Sequence, residues 1–271
     1  MNTIGTIKDL FNKIMYELKL IEAETLGEAW EKACVLLMKE GHDRFVEAPE
    51  YKTNTKDLPL IIKVKDPFKE PRISEKANIK REEAEEYARK LIYGSGKENE
   101  NSFDYTYFSR LRCYPDCKVR AFLPNFTESE EELFEAVEKI SPQRKCVVQR
   151  IDQVEKAIKI LKKDPTRRTV VLHTWIPFRD LMKFGPKREK TSSPCLLLFY
   201  PQIVDEKLHL FVVMKTNDLY NAWPENAYAF TMLQKYMAEE IGVSVGSYTH
   251  FSVSMHIYED MFEEVRKKFN L

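Results

Sequence analysis

The chain has 271 residues, with 43 basic against 43 acidic side chains and so no formal net charge at pH 7. That balance removes the general attraction for a polyanion, so a nucleic-acid partner is not expected. Apolar runs as short as Cys195 to Tyr200 cannot cross a bilayer, so no membrane span is expected either. Acidic residues stand close behind the N-terminus with no small-residue cleavage site, which makes the cytoplasm the expected location. The five cysteines, at 34, 113, 117, 146 and 195, are odd in number and scattered. The Cys113 and Cys117 pair has no second pair or histidine pair near it, so no metal is expected.

Thr25 followed by Glu28 reads as a capping box, with Leu26, Ala29, Trp30, Ala33 and Leu37 at helical spacing behind it. From residue 47 to 71, prolines at 49, 59, 67 and 71 interrupt the chain and leave room for one strand, over 60–64. Residues 82–93 resume a helical pattern, 94–101 form a loop rich in Gly, Ser and Asn, and 105–112 mix aromatic with basic residues. Helices are predicted over 128–140, with an acidic exposed face, and over 154–163. Strands follow over 168–174, 195–200, 207–214 and 247–258, with one long helix over 225–241 among them. Helices early and strands late predict an α+β fold on a mixed β-sheet packed with helices, not alternating βαβ units. A single domain is expected over 1–271, with a helical, loop-rich part in 1–115 and a sheet-rich part in 116–271. No Gly-rich phosphate loop and no internal repeat is present.

Cys195 opens a predicted strand directly after Ser193-Pro194, where loops bring functional groups to the rim of a sheet. A buried, inert thiol is the competing reading of a free cysteine. Strand alternation would place Ser252, Ser254, His256 and Tyr258 on one face, and small or rigid hydrogen-bonders of this kind suit sugar hydroxyls better than bulk water.

Four short patterns occur in the order and approximate spacing of thymidylate synthases: Arg167-Arg168 after Asp164-Pro165, Ser193-Pro194-Cys195, Asn217-Asp218 followed by Trp223-Pro224-Glu225-Asn226, and His256-Ile257-Tyr258. The chain resembles that family over residues 164–258, and the form Ala222-Trp223-Pro224-x-Asn226 is similar to its archaeal branch. The resemblance implies that Cys195 adds as a thiolate to C6 of a pyrimidine nucleotide, which turns C5 into a nucleophile. It further implies that Arg167 and Arg168 bind the phosphate from the other subunit of a homodimer whose sheets pack together, and by their charge favour the thiolate. Lys215 and Thr216 would join them at the phosphate, His256 and Tyr258 would hold the ribose, and Asp218 would contact the folate. Tyr107 is the active-site tyrosine implied in the 105–112 segment, and Glu86, or its neighbour Glu85, the implied general acid at O4.

Asn226 has one acceptor and two donors, so its amide can pair with N3–H and O4 of uracil in one orientation and, flipped, serve cytosine. The implied activity is conversion of dUMP to dTMP with 5,10-methylenetetrahydrofolate, or a tetrahydromethanopterin analogue, as co-substrate. The rivals are a cytidylate or deoxycytidylate 5-hydroxymethyltransferase on the same scaffold and a non-catalytic nucleotide-binding homologue. The sequence departs from the family pattern in having Leu196 for the histidine after the nucleophile, Met214-Lys215-Thr216 for Gln-Arg-Ser, and Ser254 for an acidic residue. Lysine keeps the charge of arginine but loses its bidentate fork.

Overall fold

The computed structural model describes residues 16–48, 51–95, 106–119, 146–176, 180 and 193–271. Strand β1 (Lys19–Ala23) leads into helix α1 (Leu26–Glu40), which Thr25 caps by accepting from Glu28 N at 3.1 Å. The Glu28 carboxylate reaches back past the cap residue to accept from Glu24 N at 2.8 Å, one position beyond the usual capping box. All five apolar positions of the predicted stripe on α1 are buried, Trp30 among the largest. Each of the two leucines of that stripe contributes about 1.5–3 kcal/mol when fully buried. Next come β2 (His42–Ala48), β3 (Tyr51–Val64), α2 (Arg81–Tyr93) and the short α3 (Tyr107–Arg112). A separate two-stranded ladder of β4 (Tyr114–Val119) and β5 (Cys146–Ile151) precedes α4 (Gln153–Lys163). The C-terminal half holds β6 (Leu172–His173), β7 (Leu196–Val204), β8 (Lys207–Asp218), α5 (Trp223–Ile241), β9 (Ser244–Tyr258) and α6 (Phe262–Phe269).

The main sheet runs β1-β3-β9-β8-β7-β6, with β2 paired to β3 beside β1. It is mixed, because β1 with β3 and β8 with β9 are parallel while the remaining pairs are antiparallel. The predicted α+β class is therefore observed. Two helical crossovers, α1 and α5, lie inside the sheet's parallel pairs, which the sequence order of helices and strands did not anticipate. They pack together on one face, where Trp30 Nε1 donates to Leu219 O at 2.9 Å. Pro224 opens α5, where its missing N–H has no intrahelical partner to lose, and Gly242 ends it at φ 92°. No helix among the described residues is long and apolar enough to cross a membrane.

The proline-interrupted segment differs most from expectation. In place of one short strand it forms the β2–β3 hairpin, and Pro59 sits inside β3 at a bulge. Leu58 pairs with Met255 and Leu60 with Ser252, so two residues of β9, Val253 and Ser254, stand opposite Pro59. A proline has no donor for the ladder and is tolerated where the ladder is already broken. Further differences are shorter or longer elements: the strand predicted over 168–174 shrinks to Leu172–His173, while that over 207–214 extends to Asp218. The helix predicted over 128–140 lies outside the described residues.

The sheet face away from the helices carries an apolar row, one residue per strand in register: Leu20, Ile61, Phe251, Val213 and Leu198. All five are exposed or half-exposed.

Candidate functional site

A cleft of about 340 Å³ opens where β8 and β9 end, beside the β2–β3 hairpin and the first turns of α3 and α5. Cys195, Tyr107, Thr216, Asp218, Asn226, His256 and Tyr258, all predicted from sequence, line it together.

Pro194 is buried and Cys195, one residue before β7, is partly buried at the cleft wall. Thr216 Oγ1 donates to Cys195 Sγ at 3.3 Å, and Lys215 N donates to Cys195 O at 2.9 Å, so β8 holds the cysteine by both side chain and backbone. A hydroxyl aimed at sulfur stabilises a thiolate more than a thiol, since hydrogen bonds to charged acceptors are the stronger. Leu196 N donates to Tyr107 Oη at 3.3 Å, which seats the tyrosine directly after the nucleophile. Tyr107 is the first residue of α3, whose start is fixed by the reciprocal Thr106 and Ser109 bonds. Cys34, by contrast, is wholly buried, and burial pushes its thiol up, as an inert core cysteine requires.

α3 is anchored by a buried pair. Arg110 meets Asp180 through two bonds, at 2.7 and 3.0 Å, and donates also to Thr174 O at 3.0 Å. The Thr174 hydroxyl in turn donates to Leu196 O, tying the same assembly to the strand behind Cys195.

The bulge at Pro59 shapes the ribose end. One extra residue in β9 puts its alternation out of phase, so Ser254, His256 and Tyr258 face the cleft while Ser252 stays in the interior with His250. The four-residue polar face predicted from strict alternation is thus three residues long. His256 and Tyr258 rings meet edge to face at 4.8 Å. Opposite His256 stands Asp57, which sequence reading missed: its carboxylate accepts from Tyr16 Oη at 2.8 Å and from the Ser254 hydroxyl, and lies 3.5 Å from Arg44 Nη1. A carboxylate standing directly before the apolar Leu58-Pro59-Leu60-Ile61-Ile62 run was the available signal. In the interior behind, Tyr248 Oη lies 2.8 Å from His250 Nδ1, and Asn217 Nδ2 3.3 Å from His250 Nε2, so a buried polar chain backs the cleft residue Asn217.

Of the predicted phosphate ligands, Thr216 lines the cleft, while Arg167, Arg168 and Lys215 do not. Arg167 and Arg168 are exposed, Arg167 near Asp164 at 3.9 Å and Thr169 at 3.2 Å. The Lys215 ammonium turns to the Ser193 hydroxyl and lies 4.9 Å over the Trp175 ring. Burial lowers its pKa against the opposing pull of the Cys195 and Asp180 charges. Arg44, unpredicted, does line the cleft.

The general acid assignment needs correction. Glu86 is exposed, bonded to Arg89 at 2.7 and 2.9 Å, and those bonds hold its carboxyl down at about 2, the reverse of what a proton donor requires. Glu85 accepts from Tyr228 Oη at 3.3 Å, and neither glutamate lines the cleft. α2 instead presents Tyr87, whose hydroxyl donates to Asn226 Oδ1 at 3.3 Å. Asn226 is buried in the first turns of α5, with Ala222 as the cap, so it is not the helix cap. Asp218 accepts from Tyr220 N, Asn221 N and Asn221 Nδ2 at 3.0–3.1 Å, which fixes its carboxylate at the cleft wall. Among the described residues no three His, Cys, Asp or Glu side chains gather as a metal site.

The family model described as thymidylate synthase matches residues 94–270. A protein of Methanosarcina barkeri named "Putative thymidylate synthase" is 28% identical over 93% of this chain and 96% of its own length. Proteins of the same name from Methanocaldococcus jannaschii and Methanothermobacter thermautotrophicus are 29% and 26% identical, covering 92% and 91% of this chain and 95% and 96% of their own.

Proposed function

The chain belongs to the thymidylate synthase family, and on that footing we propose that it converts dUMP to dTMP, with Cys195 adding to C6 of the uracil ring. The observation that carries this reading is the convergence of a thiol, a buried amide and a His–Tyr pair on one cleft, with Thr216 Oγ1 at 3.3 Å from the sulfur. The Cys195 thiolate forms a bond to C6, and the ring electrons move onto C5 and O4. Asn226 meets the Watson–Crick edge of the base, and His256 with Tyr258 takes the ribose hydroxyl. Tyr107 fixes the strand start behind the sulfur through Leu196 N, and Thr216 stabilises the sulfur anion both before attack and when the C6 bond breaks again. A methylene-tetrahydrofolate-like pterin supplies the one-carbon unit and the hydride, and Asp218, its carboxylate already fixed, would hold it.

The reading includes a homodimer. Its support is twofold: the exposed Arg167-Arg168 pair, which does not line the cleft of its own chain, and the apolar row that stands exposed or half-exposed on the sheet.

The test is tritium release from [5-³H]dUMP and [5-³H]dCMP, with methylene-tetrahydrofolate or methylene-tetrahydromethanopterin, followed by product mass. The expected result is release from dUMP and a methyl product. Cys195→Ser should abolish release while dUMP still binds within a few-fold of wild type. Release from neither nucleotide with either donor would defeat the proposal, and a hydroxymethylated cytosine product would replace it with the rival activity.

A further inference from the structure

We propose that Tyr87 makes the cleft read its pyrimidine as uracil rather than cytosine, by holding the Asn226 amide in one of its two orientations. The inference rests on the nucleotide reading of the cleft. Asn226 lines the cleft from α5, and the Tyr87 hydroxyl, reaching across from α2, donates to its Oδ1 at 3.3 Å. Uracil offers a donor at N3 and an acceptor at O4; cytosine offers an acceptor at N3 and a donor at N4. The same amide must therefore turn over by 180° to serve both. With Oδ1 bound by the phenol, that oxygen keeps a second lone pair for N3–H, and Nδ2 is left to meet O4. The flipped amide would set its NH₂ against the phenol oxygen. That oxygen is the weaker acceptor because its lone pair is delocalised into the ring, so the flip is disfavoured. The neighbouring carboxylates do not compete for the amide, since Glu86 is engaged by Arg89 and Glu85 by Tyr228.

Tyr87 is absent from the cleft wall and acts through Asn226, so it is a positioning residue. The test measures dissociation constants of dUMP and dCMP, and kcat/KM for tritium release from each, in wild type and Tyr87→Phe, with Tyr87→Met as a second hydroxyl-free variant should the first not fold. The expected result is a preference for dUMP in wild type that shrinks by about ten-fold in the variant, the order of one hydrogen bond. A purely structural role would weaken both nucleotides alike, and an unchanged preference overturns the proposal. Wild-type preference for dCMP also overturns it, since the amide would then sit the other way. If wild type binds neither nucleotide, it is the nucleotide reading of the cleft that has failed, and the proposal falls with it.

Discussion

His250 gives the clearest pH signature. It lies wholly buried in β9, with Tyr248 Oη 2.8 Å from Nδ1, Asn217 and Ser252 near Nε2 at 3.3 and 3.4 Å, and the edge of Trp223 at 6.1 Å. Burial without a carboxylate partner pushes its pKa down from 6.5 to about 3. The folded pKa is below the unfolded one, so protons bind the unfolded chain first as pH falls. The stabilisation is complete above pH 6.5 and is withdrawn between 6.5 and about 3. At pH 5 the unfolded histidine lies 1.5 units below its pKa, which at ~1.36 kcal/mol per unit withdraws about 2 kcal/mol. The perturbation is His250→Gln, which keeps a polar side chain and cannot titrate. Urea unfolding of both proteins at pH 7, 6 and 5 supplies the comparison, and only the slopes matter, because the variant also loses the Tyr248 contact at every pH. Wild type should lose about 2 kcal/mol more than the variant between pH 7 and 5. Parallel stability curves would show that this imidazole takes up its proton inside the fold, and the burial argument would be wrong.

Asp180→Ala should destabilise by about 3–5 kcal/mol, since it removes the carboxylate that meets the buried Arg110 guanidinium through two bonds; a thermal shift equivalent to less than about 1 kcal/mol would show that the pair behaves as a solvent-exposed one. The proposed dimer predicts complementation: Cys195→Ala mixed after unfolding with an Arg167→Ala/Arg168→Ala variant should recover about a quarter of wild-type activity, because half of randomly paired dimers are hybrid and each hybrid has one intact site. No recovery would place the arginines in the site of their own chain or outside any site.

The cleft-lining residues were legible where chemistry and local pattern coincide. Cys195 after a proline, Asn226 in the first turns of α5, and the His256 and Tyr258 pair are short-range features, and the structure brings them together. What escaped depends on pairing between distant strands. Pro59 reads locally as a strand breaker, yet it is accommodated because β9 supplies an extra residue opposite it, and that long-range register also moves Ser252 out of the cleft and brings Asp57 to face His256. On α2 the helix was predicted correctly but its rotation was not: Ala84, Ala88, Leu91 and Ile92 set the buried face, which leaves Glu86 outside and turns Tyr87 toward Asn226. Helix α6 had a signal that went unread, since Phe262, Val265 and Phe269 recur at helical spacing.

The charge around the cleft bears on how the proposed site is completed. Its wall within one chain includes the carboxylates of Asp57 and Asp218, and Arg44, which already leans on Asp57 at 3.5 Å. A nucleotide phosphate is a dianion, and one unit charge 4 Å from another is worth about 4 kcal/mol near a protein surface, so a single compromised arginine is a poor host. Lys215 cannot make up the difference from its position, because its ammonium is half-buried over Trp175 and bonded to the Ser193 hydroxyl. Arg167 and Arg168 have the complementary deficiency: two exposed guanidinium groups with, among the described residues, one distant carboxylate between them. The apolar row from Leu20 to Leu198 is where a second copy would bury surface. A two-fold pairing there would satisfy three features at once: the cleft short of positive charge, the exposed arginines and the half-exposed apolar row.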